Sequence, residues 1–330
     1  NQAEIIKALR AKGKAVLADL NHFIPETILT WSQESDQPLT FGHFIDATGL
    51  SPIEVLKRRI WSEWKALALR QPLPTDPDME ILRNTLPRLA LRSDPTLLRQ
   101  LMSPAANEAE NTPSAIALHY LRWGQTGPKL AINTIAESTA RWQANPSIVA
   151  DAAEIAQWRL DHPETPIQTI HLPFSCPLQL HAAYGSAEIK AALGLATLER
   201  PGPTGQGVIH APEQLCYIHL VTFHKDERTF SPTTRYRDYP ISATQLHWER
   251  QSTTTQASPT GQNYLNFIER GYTILFFARI DKKIDGETAP FIYLGPAKRL
   301  ISAEGDRPIR MVWELEYAMP AGLLEEARPA

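Results

Sequence analysis

The chain has 330 residues, of which 43% are apolar and 21% are charged, and its formal net charge is −3. This length exceeds one typical domain and predicts two, each large enough to bury its own core. The weak negative charge excludes a generic polyanion binder, so any contact with nucleic acid must rest on a local surface.

The cysteines and the longest apolar run bear on the compartment. Cys176 and Cys216 could pair, but nothing else resembles a secreted disulfide scaffold, and no apolar signal segment opens the chain. The nearest approach to the roughly 20 apolar residues of a membrane span is TILFFA at 273–278. We therefore expect a reduced, cytoplasmic protein without membrane contact. Because the chain begins Asn-Gln-Ala-Glu and enters a helical pattern at once, we expect a fragment of a longer protein.

Residues 1–165 have a helical pattern, with Leu, Ala, Ile and Trp three and four residues apart. This pattern predicts an all-helical linker or interaction domain. The clearest helices are predicted at 5–20, 53–70, 79–92 and 148–160. A polar segment at 103–113 predicts a break within this domain.

FGHFIDATGL followed by SPIEVLKRR predicts a helix, a turn and a second helix. Gly49 can end the first helix, while Ser51, Pro52 and Glu54 are typical of the start of the second. The same signature fits a DNA-binding helix-turn-helix or a plain helical hairpin packed against its neighbours. The motif is short and degenerate, which favours the hairpin.

From about residue 170 the apolar period changes from 3.6 to 2, and β-branched and aromatic residues become frequent. Strands are predicted at 215–223, 244–250, 272–280, 290–295, 297–302 and 309–317, with helices at 186–194 and 320–328. Six strands with short connections predict a closed or nearly closed antiparallel β-barrel over 170–330. The fold class is thus α+β, and 252–262 is predicted to be a loop across the barrel mouth.

The stretch from Phe230 to Phe267 is dense in aromatic rings, arginines and hydroxyl side chains and has few aliphatic residues. Rings can stack on a flat ligand, guanidinium groups can hold phosphate, and hydroxyls supply short hydrogen bonds. This composition predicts a surface that contacts nucleic acid.

Several segments of the second half carry a family resemblance, among them HAAYGSAEIKAALG, LVTFHKDERTFSPTTRYRDYPIS and MVWELEYAMPAGLLEEA. Residues 178–327 resemble a family of uncharacterised C-terminal domains, typically fused behind a superfamily 2 helicase and often with a phospholipase-D-type nuclease. The best understood relatives resemble type IV restriction enzymes, which act in antiphage defence and cleave DNA with 5-methylcytosine or 5-hydroxymethylcytosine. The first half, including TFGHFIDATGLSPIEVLKRRIWSEW, resembles more loosely the helical region that links the motor to this domain.

The resemblance implies that this fragment recognises the modified site. The chain has no GxxxxGK[ST] phosphate loop and no HxK nuclease motif, so we expect no enzyme activity and no cofactor in it. The implied partners are double-stranded DNA with modified cytosine and the helicase and nuclease domains of the full-length protein. The base can be read in the major groove, as by a B3-like reader, or after flipping into a pocket. Abundant rings favour flipping, as in PUA-like or SRA-like barrels.

Two other functions remain open. The first is a protein-interaction or autoinhibitory module that docks on the helicase without recognising a base, which the leucine-rich helices at 79–102 favour. The second is a small nuclease that uses Asp238, Glu249 and a metal, against which stands the absence of a Glu-x-Lys pattern. His219 and His224 lie five residues apart and so point to opposite faces of a strand, and no zinc-ligand spacing occurs, so no metal site is predicted.

The candidate site residues follow from the ring-rich stretch. The predicted base pocket consists of Tyr236, Asp238, Tyr239, Trp248, Ser252 and Thr253. There the carboxylate would accept a hydrogen bond from the cytosine 4-amino group while a ring stacks on the base. Contacts to the DNA backbone or base edges are predicted for Arg235, Arg237, Arg250, Gln251, Ser258, Thr260 and Lys298. Alternatively, Asp238 pairs with a neighbouring arginine and Trp248 is a core residue.

Overall fold

The structure is a computed structural model that describes residues 20–103, 111–204, 207–224, 238–249 and 254–327. The fold is α+β, with helices in the N-terminal part and a mostly antiparallel mixed sheet in the C-terminal part. The chain divides into two compact units, Asn1–Pro163 with Thr197–Pro201, and Glu164–Ala196 with Gly202–Ala330. Across the described ranges, no helix combines the length and the apolar character needed to cross a membrane.

The first unit is helical. Its helices are α1 (Leu20–Glu34), α2 (Phe41–Thr48), α3 (Pro52–Arg58), α4 (Trp61–Ala68), α5 (Met79–Leu82), α6 (Leu86–Leu89), α7 (Pro95–Met102), α8 (Pro113–Trp123), α9 (Ile135–Gln143) and α10 (Pro146–Asp161). Two predicted helices are each divided. The helix predicted at 53–70 breaks at Arg59, which is extended, and restarts where the Glu63 carboxylate accepts the Ile60 N–H at 3.2 Å. The helix predicted at 79–92 becomes α5 and α6.

The predicted helix, turn, helix at 41–58 is confirmed. Gly49 ends α2 in the left-handed region at φ 67°, and the Ser51 hydroxyl caps α3 by accepting the Glu54 N–H. Ile53, Val55 and Leu56 of α3 are buried, and α3 packs against α6 while α2 packs against α10. The leucines of 79–102 that favoured a docking role lie mainly inward, since Leu82, Leu86, Leu89, Leu98 and Leu101 are all buried.

The second unit contains the sheet. Its elements are β1 (Ala183–Tyr184), α11 (Ser186–Ala192), β2 (Val208–Ala211), β3 (Cys216–Thr222), β4 (Tyr239–Pro240), β5 (Gln245–Glu249), α12 (Pro259–Leu265), β6 (Thr273–Arg279), β7 (Lys283–Ile284), β8 (Glu287–Thr288), β9 (Phe291–Glu304), β10 (Arg310–Leu315) and α13 (Ala321–Glu326). The strand order is β2-β3-β6-β9-β10-β5-β4, with β1 beside β9 and a separate β7-β8 hairpin. The six strand positions predicted from the sequence are occupied by strands.

The prediction of a closed or nearly closed antiparallel barrel is confirmed only in part: the sheet is mostly antiparallel, and no closed barrel is found in the described residues. In the described part of the chain the sheet is open, with β2 and β4 at the two ends of the path. β3 pairs with β6 in parallel. Parallel strands need a long crossover connection, and the chain from 223 to 272 supplies it. Alternating apolar residues mark a strand but do not reveal its partner, so the pattern could not distinguish this path from a barrel.

The strands predicted at 290–295 and 297–302 are one long strand, β9, that changes partner midway. It pairs with β6 as far as Pro296 and with β10 from Ala297 onward. Gly295, at φ 86°, allows the change of direction there. The two halves of the sheet consequently curl toward each other, and the rings of His219 on β3 and Trp248 on β5 lie 4.2 Å apart.

The concave face of the curled sheet forms the core of the second unit, built largely from rings. Tyr217, Trp248, Tyr264, Phe276 and Trp313 belong to this buried cluster. Tyr264 comes from α12, which corrects the predicted loop at 252–262, because a helix begins at Pro259. Ser258 caps that helix, and its hydroxyl accepts the Gly261 N–H at 3.1 Å.

Candidate nucleic-acid interface

The β4-β5 hairpin carries most of the described residues of the predicted base pocket. Tyr239 of β4 lies opposite His247 of β5, and Pro240 lies opposite Leu246. Along β5, Leu246 and Trp248 are buried, whereas Gln245, His247 and Glu249 are half-buried. Successive side chains of a strand point to opposite faces, so the hairpin presents one set of residues to the core and the other to the outer face.

A stacked ring pair lies on the outer face of this hairpin. The rings of Tyr239 and His247 are stacked, with centroids 4.6 Å apart and an interplanar angle of 13°. Tyr239 is 39% exposed and lies on β4, which ends the strand path. The pair therefore offers a flat aromatic surface with polar tips, which is the chemistry that stacks on a nucleobase.

Arg310 brings a cation to the same face. On β10, Val312 lies opposite His247 and Arg310 lies opposite Glu249. Arg310 is exposed and is two residues along its strand from Val312, a distance of about 7 Å. Its guanidinium lies close to Gly305, which follows the end of β9. A guanidinium on the same face as a ring pair can hold a phosphate while the rings contact a base.

Lys298, a predicted DNA contact, takes part in an ion pair on β9 and β10. Its Nζ lies 2.8 Å from Oε1 of Glu314, and Arg299 bonds the other oxygen of the same carboxylate. The hydrogen bonds from Lys298 and Arg299 lower the pKa of Glu314. Two cations thus share one anion here, which leaves a modest positive excess at this part of the face.

Asp238 has a structural bond at the edge of the hairpin. Its Oδ1 accepts the backbone N–H of Glu249 at 3.0 Å, and the residue is 9% exposed. The carboxylate therefore helps to hold β4 against the end of β5. Arg235 and Arg237, the alternative ion-pair partners suggested by the sequence, lie outside the described residues.

Trp248 lies in the core. The indole is 4% exposed, is stacked on His219, and meets the edge of Tyr264 at a centroid distance of 5.8 Å. Since Trp248 and His247 are neighbours on one strand, Trp248 lies on the opposite face from the Tyr239–His247 pair. One hairpin therefore carries Asp238, Tyr239 and Trp248, but Tyr239 and Trp248 cannot close on the same base in this arrangement.

The remaining predicted site residues divide into two groups. Ser258 and Thr260 belong to the start of α12, where the Ser258 hydroxyl also donates to the Thr255 carbonyl oxygen at 2.6 Å. The hydroxyl is thus used within the capping turn. The others lie outside the described residues: Arg235, Tyr236, Arg237, Arg250, Gln251, Ser252 and Thr253.

Sequence reasoning missed His247 as a stacking ring and Arg310 as a neighbouring cation. The strand opposite His247, β4, is only two residues long, so the sequence shows no pattern from which the ring partner of His247 could be found. Arg310 is 63 residues from His247 along the chain, and the two lie on the same face only because β10 pairs with β5. No local signal in the sequence indicates the ring stack or this shared face.

The described ranges contain no group of three histidine, cysteine, aspartate or glutamate residues suited to a metal ion. Both cysteines are free, with Cys216 buried and Cys176 half-buried.

A comparison with known families finds a match in the second half of the chain. A DUF3427 domain is found at residues 178–327. The family is described as a domain of unknown function, so the match gives a relationship and no activity. The DUF3427 domain contains every strand of the sheet, the β4-β5 hairpin and α12. No curated protein matches the chain.

Proposed function

We propose that the DUF3427 domain binds double-stranded DNA containing 5-methylcytosine or 5-hydroxymethylcytosine through the outer face of the β4-β5 hairpin. The observation that carries this proposal is the Tyr239–His247 stack on the end strand of the described sheet, with Tyr239 exposed and Arg310 on the same face. The family resemblance of residues 178–327 supplies the class of ligand.

The chemistry of the hairpin suits a base that has left the duplex. An extruded base loses its stacking and pairing partners, and a protein that binds it must replace them with rings and edge hydrogen bonds. The Tyr239–His247 pair supplies ring faces in a position open to solvent. The 5-methyl group adds apolar surface that packs on a ring, and Arg310 can hold an adjacent phosphate.

The charge of the chain is consistent with this mode. Residues 204–310 contain 13 Lys and Arg against 11 Asp and Glu, an excess of two positive charges. Recognition of one extruded base needs ring surface and hydrogen bonds more than a large positive field. We therefore expect fewer phosphate contacts, and a shallower dependence of affinity on salt, than for a repressor-like protein.

The resemblance also supports a place for the chain in a larger enzyme. In this proposal the DUF3427 domain recognises the modified site, the helical first unit links it to a helicase, and a separate nuclease cuts the DNA. The fragment itself performs no catalysis in this arrangement.

The proposal is tested by fluorescence anisotropy with three duplexes of one sequence, carrying cytosine, 5-methylcytosine or 5-hydroxymethylcytosine. We expect a modified duplex to bind more tightly than the unmodified one. The double variant Tyr239→Ala/His247→Ala should lower affinity for the modified duplex about tenfold or more, since stacking of one base contributes roughly 1–3 kcal/mol. His171→Ala, which removes an exposed ring outside the sheet, is the matched control.

Equal affinity of the wild type for all three duplexes would contradict the proposal. Flipping is tested separately with 2-aminopurine beside the modified base, whose fluorescence should rise when the base leaves the stack. If no duplex binds, the alternative of a module that docks on the helicase is favoured, and a pull-down against the helicase domain measures it.

A further inference from the structure

A second His–Tyr pair lies at the opposite end of the strand path, where β2 is the last strand. His210 of β2 lies opposite Tyr217 of β3, and the two rings stack with centroids 4.4 Å apart and an interplanar angle of 12°. Tyr272, which directly precedes β6, adds a third ring 5.2 Å from Tyr217 and 6.0 Å from His210. We call His210, Tyr217 and Tyr272, together with Asn263 and Arg270, the β2-edge platform.

The platform is anchored in the core on one side and open on the other. Tyr217 is 4% exposed and meets the edge of Tyr264 at 4.9 Å, whereas Tyr272 is half-buried and His210 is exposed. Because an anchored ring stack is already ordered, binding a ligand to it costs little conformational entropy of the side chains. Partial burial lowers the pKa of His210 below its usual value, which favours the neutral imidazole.

Two hydrogen bonds connect a cation to these rings. The amide nitrogen of Asn263 donates to the Tyr217 hydroxyl at 2.9 Å, and Nη1 of Arg270 donates to the Asn263 oxygen at 2.8 Å. Arg270 is exposed. A guanidinium has five N–H donors, and the bond to Asn263 uses one of them. The chain of contacts therefore holds a charged group near the ring stack while leaving it accessible to solvent.

Exposed apolar side chains lie beside the platform. Leu215, 43% exposed, accepts a backbone hydrogen bond from Thr273, and Ile268, 60% exposed, lies in the same turn as Arg270. Stacked rings, a positioned guanidinium and neighbouring apolar surface fit a ligand that has flat faces and a repeating negative charge. Bases within a duplex cover each other's faces, so this fit favours an unpaired strand.

We propose that the β2-edge platform binds single-stranded DNA, with unpaired bases stacking on His210 and Tyr272 and a phosphate held by Arg270. The platform lies at the other end of the strand path from the β4-β5 hairpin. It requires no modified base, so the proposal stands independently of modified-cytosine recognition.

The test is fluorescence anisotropy of the full chain with labelled dT12, an abasic 12-mer of the same charge, and a 12-base-pair duplex without modified bases. We expect dT12 to bind most tightly, because only it offers unpaired bases. His210→Ala and Tyr272→Ala should each weaken dT12 binding about tenfold and bring it toward the abasic value. Arg270→Gln should reduce the slope of log affinity against log salt by about 0.7, the share of one phosphate on a single strand.

The matched control is again His171→Ala, which should leave dT12 binding unchanged. His210 and Arg270 are exposed, so their variants should keep the wild-type melting temperature, and this is measured in parallel. Equal binding of dT12 and the abasic strand, or an unchanged affinity in all three variants, overturns the proposal. Loss of dT12 binding with retained discrimination of modified duplexes would separate the platform from the β4-β5 hairpin.

Discussion

The two ends of the sheet carry the same pair of residue types in different settings. At β2 and at β4 a histidine and a tyrosine lie opposite each other, and their rings stack at 4.4 and 4.6 Å. Tyr217 belongs to the concave core and is buried, whereas Tyr239 lies on the outer face and is exposed. Successive side chains of a strand point to opposite faces, so the face on which a ring lies follows from its position along the strand and not from its residue type.

This difference separates stability from binding. A change to a buried ring removes packed surface and should lower the free energy of unfolding. A change to an exposed ring should alter ligand affinity with little effect on stability. Variants of buried and exposed residues at the two ends of the sheet test this distinction.

Trp248 and His247 are adjacent on β5 but point to opposite faces. Trp248→Ala should lower the free energy of unfolding by about 3–5 kcal/mol, because it removes a buried indole from the ring cluster. His247→Ala should cost less than about 1 kcal/mol. Urea denaturation followed by far-UV circular dichroism measures both, and similar losses in the two variants would contradict the assignment of faces.

Gly261 of α12 tests the support of the β2-edge platform. A Cβ at this position would lie 2.1 Å from the Thr255 carbonyl oxygen, so Gly261→Ala must displace the backbone and should cost about 1–3 kcal/mol. Because α12 also carries Asn263, we expect weaker dT12 binding as well. Gly322→Ala is the control, since a Cβ there meets nothing within 4 Å. An unchanged melting temperature for Gly261→Ala would disprove the close contact.

Asp238→Ala tests the support of the other edge. Loss of the carboxylate leaves the Glu249 N–H without this acceptor, and a hydrogen bond to a charged group is worth about 1.5–3 kcal/mol. We expect a lower melting temperature and weaker binding of the modified duplex, with dT12 binding retained. Asp238→Asn, which keeps an acceptor oxygen, should recover most of the stability. If Asp238→Asn and Asp238→Ala lower the melting temperature equally, the lost hydrogen bond to Glu249 is not the cause of the destabilisation.

Removal of the Tyr217 hydroxyl should lower stability more than removal of the Tyr239 hydroxyl. Tyr217→Phe loses the bond from Asn263 and should cost about 1 kcal/mol. It also releases the hydrogen-bonded connection to Arg270, so dT12 affinity should fall. Tyr239→Phe keeps its exposed ring and should leave thermal stability within about 0.5 kcal/mol of the wild type. A larger loss of stability in Tyr239→Phe than in Tyr217→Phe would contradict this prediction.

The smallest expected effect is on pH dependence. Burial lowers the pKa of His210 in the folded protein. Its contribution to the free energy of unfolding is therefore fully present above the unfolded pKa of about 6.5 and is lost as the pH falls below that value. Relative to His210→Gln, the wild type should therefore be less stable at pH 5 than at pH 7. Melting temperatures of the two proteins across this range give the difference. If the difference in melting temperature does not change with pH, the pKa of His210 is not lowered in the folded protein.

Local features of the fold were largely predictable. The turn at Gly49 and the cap at Ser51 depend on residues within four positions of each other, and both occur as expected. The strands β5 and β10 alternate between buried and more exposed residues, and β3 and β6 are nearly continuous buried runs, so all four are long enough to be found from the sequence. The two edge strands, β2 and β4, have four and two residues, so no pattern could develop, and both were missed.

The candidate site was predictable only in part, for a related reason. Composition directed attention to 230–267, and the alternation on β5 was consistent with a buried Trp248. Pairing and packing between distant segments place Tyr239 on His247. They also connect Arg270 to Tyr217 through Asn263. Residues outside the described ranges, including Arg235 and Arg237, remain predictions.

The division into helical and strand-rich halves, the helix caps and most strand positions follow from the sequence alone, because they depend on propensities and periods within a few residues. The open path of the described sheet, the parallel pairing of β3 with β6 and the His–Tyr pairs at its two ends follow from tertiary packing. Strand partners are chosen by the burial of whole faces. That choice brings residues far apart in the chain together, and alternation along a single strand carries no information about it.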